Sequence, residues 1–180
     1  MGCWGITAFE SDAGLNAVGF IRKNLPQDGN LNLDKMIELL RGDEYYTPDV
    51  IDGQSHTGPM ALAETLTMIL NRDFSKLDYG EKWTVQDNKF RAVTSCIASK
   101  QSIEWLREYV SDTLGRAIVN APHRNNWGGW FKEADWQGWQ SHMASLVSSL
   151  DTILASTESQ IEFIRPDEPT NDIQMEQQMV

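Results

Sequence analysis

Side chains suited to metal binding and redox chemistry are scarce in this chain. Two cysteines, Cys3 and Cys96, and three histidines, His56, His123 and His142, are spread over 180 residues. No CxxC, HExxH or HxH spacing brings any of them together, so the sequence assigns no metal ligands, no disulfide framework and no cofactor. Two lone cysteines fit a reduced compartment, and the cytoplasm is the expected location. No apolar run approaches the ~18 residues that a membrane span requires. The opening MGCWGITAFESD lacks the basic stretch of a secretory signal. Its sixth residue is Ile6 rather than the Ser or Thr that a myristoyl site favours. Basic residues are also few: 15 Lys and Arg stand against 26 Asp and Glu, for a net charge of -11. Nucleic acid is therefore not an expected ligand, because its phosphates would be repelled. A membrane surface is not expected either.

What is present reads as a globular protein. The hydrophobic fraction is 41% and the charged fraction 23%, enough apolar side chain to build a core without covalent staples. Helical periodicity dominates. Ser11 can cap a helix to about Asn24, with Leu15, Val18, Ile21 and Leu25 on one face and Pro26 as a stop. Gly14 and Gly19 either weaken that helix or let another element pack closely. Asn32 caps a second helix with a stripe of Leu33, Met36, Ile37 and Leu40, and Gly42 marks its exit. Pro59 suits the first turn of a third helix, which runs to about Asn71 with Ala63, Leu66, Ile69 and Leu70 inward.

Two longer helices follow. Ser99 opens one whose inward face carries Ile103, Leu106, Tyr109, Val110, Thr113, Leu114, Ala117 and Ile118, with Pro122 beyond its end. Asp135 caps the other, in which Trp136, Trp139, Met143, Leu146, Val147, Leu150, Ile153 and Leu154 recur at helical spacing. Between Phe74 and Cys96 the pattern blurs; Trp83 with Val85, and Phe90 with Val93, read as short strands or irregular cover. Ile161 and Phe163 flank Glu162 in the alternation of a terminal strand. The expected fold is mainly α: a single-domain helical bundle over 1–164 with two long helices and a few short strands. Residues 165–180 read as an acidic, flexible tail; from 157 onward six acids face Arg165 alone.

Candidate functional residues lie between the helices. From Gly42 to Pro59 the chain carries Asp43, Glu44, Asp49 and Asp52, no Lys or Arg, and the adjacent pair Tyr45 and Tyr46. Tyrosines give rigid contact area and acids steer a basic partner, so these six residues are a candidate partner-binding surface. The same composition also describes an ordinary solvated loop. Within it, His56 sits among Asp49, Asp52, Gln54, Ser55 and Thr57, which allows a hydrolytic or metal-assisted site with His56 as base. Against that, Ser55 is outside a GxSxG elbow, and neighbouring Ser and His side chains seldom converge. Asp49 and Asp52 lack the ligand spacing and closing Glu of a calcium loop. A third candidate is the segment NNWGGWFKEADWQGWQ. There Trp127 and Trp130 could stack on a glycan or other small ligand, or on a protein partner, whereas Trp136 and Trp139 fit core packing better.

Met1, Gly2, Trp4, Gly5, Phe9 and Asp12 spell MGxWGxxxFxxD. In this the chain resembles a bacterial family of small proteins, catalogued as a domain of unknown function, that opens with the same pattern. The resemblance covers about the first 25 residues and implies no catalytic residue; Trp4, Gly5, Phe9 and Asp12 are the matching positions. Physically, Gly2 and Gly5 permit a tight turn around Trp4, while Trp4 and Phe9 are expected to act as apolar anchors. Asp12 suits a helix N-terminus. Taken together, the sequence favours a non-enzymatic interaction module for a basic protein, one version being an immunity-type protein that masks a toxin. An enzyme centred on His56 and a ligand site at Trp127 and Trp130 remain as alternatives.

Overall fold

The computed structural model describes residues 2–74, 76–78, 89–121, 133–155 and 158–164. Trp83 and Val85, Pro122, Trp127 and Trp130, and the 165–180 tail lie outside them. Among the described residues there are five α-helices and one three-stranded sheet: α1 (Asp12–Lys23), β1 (Asn30–Asn32), α2 (Leu33–Arg41), α3 (Gly58–Leu70), β2 (Ser95–Ser99), α4 (Lys100–Asn120), α5 (Glu133–Leu154) and β3 (Gln160–Ile164). The mainly helical architecture expected from periodicity is therefore what the chain adopts.

Helix starts follow side-chain chemistry closely. Ser11 accepts a hydrogen bond from the Gly14 amide, Asn32 from Asp34 and Lys35, Thr57 from Met60, and Ser99 from Ser102. Each satisfies an amide that the first helical turn leaves without an internal acceptor. Asp135 does not cap α5; it is the third residue of a helix that starts at Glu133. On the two long helices, Ile103, Leu106, Val110 and Ala117 pack inward with Trp139, Met143, Leu146 and Leu150. Ile118 departs from expectation. It is exposed, as is Leu70 at the end of α3, although the preceding Ala117 and Ile69 are fully buried, so each lies beside the covered face of its helix.

The centre of the molecule is α3 rather than the long pair. Residues 58–66 are all buried, and α1, α4, α5 and β3 pack against this helix. A helix covered on most sides must be apolar nearly all round, which the run GPMALAETL satisfies apart from Glu64 and Thr65. The sheet has the order β1-β2-β3. β1 pairs parallel with β2, with α2 and α3 in the connection, and β2 pairs antiparallel with β3. Parallel neighbours need such a crossover. Phe90 lies in a short 3₁₀ turn and Val93 just ahead of β2, so neither begins a strand. The strand read at Ile161 and Phe163 is β3, and both side chains are buried. The start of α2 is joined to the cap of α4 as well: the Asp34 carboxylate accepts from the Ser99 amide at 2.8 Å and from the Ser99 hydroxyl at 3.0 Å.

The two glycines of α1 separate cleanly. A side-chain carbon on Gly14 would collide with the Ala8 carbonyl, whereas one on Gly19 would meet nothing within 4 Å. Gly19→Ala should therefore stabilise the protein by roughly 0.5–1 kcal/mol through helix propensity. Gly14→Ala should destabilise it by about 2 kcal/mol or more through overpacking. Urea denaturation of the two variants checks the pair; equal midpoints would overturn the close approach at Gly14.

Candidate functional site

The N-terminal residues form an arm laid over the bundle. Trp4 and Gly5 amides donate to the Glu10 carbonyl, and the Gly2 amide reaches the Asp12 carboxylate at 2.6 Å. The Glu10 carboxylate turns back to accept from the Thr7 amide and hydroxyl, each at 3.0 Å. These contacts, the Thr7 amide foremost, hold its pKa below the usual value, with the nearby His142 adding a smaller push in the same direction. A side chain at Gly5 would meet the Glu10 carboxyl group, which would have to swing away from Thr7 to make room. Trp4 does not anchor the arm. Its side chain is 51% exposed, so the apolar-anchor expectation holds only for Phe9, which is partly buried against the core.

The arm is fastened by a carboxylate in the middle of α3. Glu64 is 3% exposed, and its two oxygens lie 2.8 and 3.0 Å from the Ala8 amide. His142 of α5 brings Nε2 to 2.7 Å from Glu64 Oε1. A carboxylate removed from water needs such donors, and these come from both sequence-distant sides of α3.

Next to this lies His56, buried at the end of the 42–57 loop. Ser55 Oγ is 2.8 Å from its Nδ1, so the adjacent Ser and His side chains do meet, contrary to expectation. Cys3 Sγ stands 3.5 Å from Nε2 and 3.8 Å from Nδ1. Burial, together with the nearby His142, lowers the His56 pKa to about 4, against a weaker opposing pull from Glu10. The composition is that of a nucleophile and base from different segments, as a His56-centred enzyme would need. The geometry is less suited to that chemistry. The sulfur lies almost equally near both ring nitrogens instead of in line with one, and an imidazole with so low a pKa is a weak proton acceptor for a thiol. Among the described residues no group of three or more His, Cys, Asp or Glu side chains could hold a metal ion.

The acidic loop is polar but fixed. The Asp49 carboxylate accepts from the Ile51 amide, and the Gly58 amide donates to the Tyr46 carbonyl at 2.7 Å. From α4, the buried Tyr109 hydroxyl donates to the Pro48 carbonyl at 2.6 Å. Burial, with Asp49 and Asp52 nearby, raises the Tyr109 pKa to about 12. Asp43, Glu44, Asp49 and Asp52 are exposed. Tyr46 is half-buried with its ring 4.4 Å from that of Phe20. Tyr45 is 55% exposed, yet it packs edge-on to Tyr46 at 5.1 Å and its hydroxyl accepts from Asn16 Nδ2 at 3.0 Å.

Six of the eight expected partner-binding residues lie in this one loop, with Glu44, Tyr45 and Tyr46 together and Asp49 and Asp52 nearer Tyr109, and Trp127 and Trp130 lie outside the described residues. A cleft of about 160 Å³ opens beside the loop, lined by Glu44, Tyr45, Tyr46, Gln54 and His56 among others. Trp4 was missed as a surface residue because a large aromatic between two glycines carries no local sign of which way it faces. No family model, curated protein or solved structure matches this chain.

Two measurements follow from the buried groups. Glu64→Leu strands the Ala8 amide and His142, and should cost about 2–4 kcal/mol in chemical denaturation; an unchanged midpoint would remove the fastening role. His56 has a folded pKa below its unfolded value of about 6.5, so the unfolded chain takes up a proton first as pH falls. Stability should therefore fall between about pH 6.5 and 4, by up to about 3 kcal/mol. His56→Gln should remove that part of the acid limb, and equal slopes in the two proteins would show that His56 is not held neutral.

Proposed function

We propose that this chain is a non-enzymatic interaction module that presents its 42–57 loop to a basic protein partner. The observation that carries the reading is Tyr45: a large aromatic more than half exposed, yet held from two sides, in a loop of four acids without a Lys or Arg. Rigid aromatics supply binding energy because little side-chain freedom is lost on contact, and surrounding acids orient a basic partner. Trp4 extends the same surface. Asp12 and Asn16 are one helical turn apart on α1; the first holds the arm that carries Trp4, and the second holds Tyr45. An immunity-type protein that covers a basic toxin domain is one concrete form of this reading, and electrostatic capture would give it speed. Membership of the MGxWGxxxFxxD family belongs to the same proposal. In that case the motif builds the arm and sets Trp4 outward.

The test is affinity capture at low salt with the native chain and with Asp43→Asn, Glu44→Gln, Asp49→Asn and Asp52→Asn combined. A basic protein should be retained by the native chain, with an affinity that falls as salt rises. The combined variant should bind it on the order of tenfold more weakly. Equal binding by both proteins would sink the reading.

A further inference from the structure

We propose that the cleft beside Tyr45 is a socket for one guanidinium group, an arginine side chain of the basic partner. The inference rests on the docking reading above and names the chemistry it would recognise. Size is the first argument. About 160 Å³ is well below the ~300–1,000 Å³ of sites for cofactors or drug-sized ligands. One long side chain is the scale that fits.

The walls supply the second argument. Tyr45 and Tyr46 meet at 85°, and Phe20 and Asn16 hold them in place. Tyr45 lines the cleft and is 55% exposed, and an accessible aromatic ring attracts a planar cation. Glu44 and Gln54 also line the cleft, and no lining residue is a Lys or Arg. His56 is the one lining group that could bring positive charge, and its burial keeps it neutral near pH 7. Asp43 stands close enough to Tyr46 to help burial raise the phenol pKa, so the local field is negative. Arginine suits the site better than lysine, because a guanidinium is planar, weakly hydrated and able to stack while donating in its plane. The molecule makes such a pair elsewhere: the Arg41 guanidinium lies 5.1 Å from the ring centroid of Trp105.

The experiment uses small probes, so that it does not depend on the partner. N-acetyl-arginine methylamide is titrated into the full chain while the amide resonances of Tyr45, Tyr46, Gln54 and Gly58 are followed by NMR. The citrulline and lysine analogues serve as comparisons. Saturable shifts confined to these residues are expected for arginine. Roughly tenfold weaker binding is expected for the uncharged citrulline analogue, with lysine in between. Glu44→Gln and Tyr45→Ala should each weaken the arginine probe roughly fivefold while the rest of the spectrum stays in place.

Equal binding of citrulline, equal binding of lysine, or unsaturable shifts spread over all surface acids would overturn the socket. Partner capture is scored separately. A basic partner that binds Glu44→Gln as well as the native chain, but is lost by the fourfold acid variant, removes the socket and leaves the docking reading standing. Probe binding without any basic partner does the reverse.

Discussion

A single carboxylate inside the central helix constrains the rest of the molecule. Glu64 lies where α3 is covered on most sides, and a charge there is tolerated only if donors come to it. They arrive from the Ala8 amide and from His142 of α5, segments 56 and 78 residues away in sequence. That convergence fixes the N-terminal arm against the bundle. With the arm in place, Cys3 lies against His56 and Trp4 is left facing outward. An apolar residue at position 64 could fill the same volume but would not specify where the arm docks.

The 42–57 loop obeys a related logic. Its acids face water, yet its backbone is tied down by Tyr109, by Asp49 and by the Gly58 amide. A polar loop held in this way has already lost most of its freedom before any encounter. Under the proposed docking role, association would cost less ordering entropy, and the affinity gained from a given contact area would be larger. The same fastening keeps Tyr45 exposed without leaving it loose. His56, at the loop's end, contributes by remaining uncharged: its burial serves packing and leaves the negative field of the loop intact.

Much of the helical frame was legible in the residues, and the reasons are local. Ser11, Asn32 and Ser99 each mark a helix start because a short polar side chain can reach an amide two or three residues on. Other positions misled for equally physical reasons. Ile118 and Leu70 continue the apolar spacing of their helices, but the faces that are covered are those of their neighbours Ala117 and Ile69. The strand Ser95–Ser99 was invisible as SCIAS, since its small side chains have little preference for a pleat and β1 and β3 supply its partners. Of the candidate surface, the acids and tyrosines of the loop could be read directly. The cleft could not, because Ala13 of α1 and Gly58 of α3 complete it.

The sequence by itself determined where most helices begin, which of their faces are apolar, and that the 42–57 loop carries only negative charge. Capping, periodicity and composition act over a turn or two of chain, and one strand of text contains them. Only the tertiary structure decided that α3 is the centre, that Glu64 is the fastening, that Ser55 and Cys3 both meet His56, and that Trp4 faces solvent. Each of these depends on which distant segments exclude water from one another. Burial is a property of the assembled surfaces, and no local spacing encodes it.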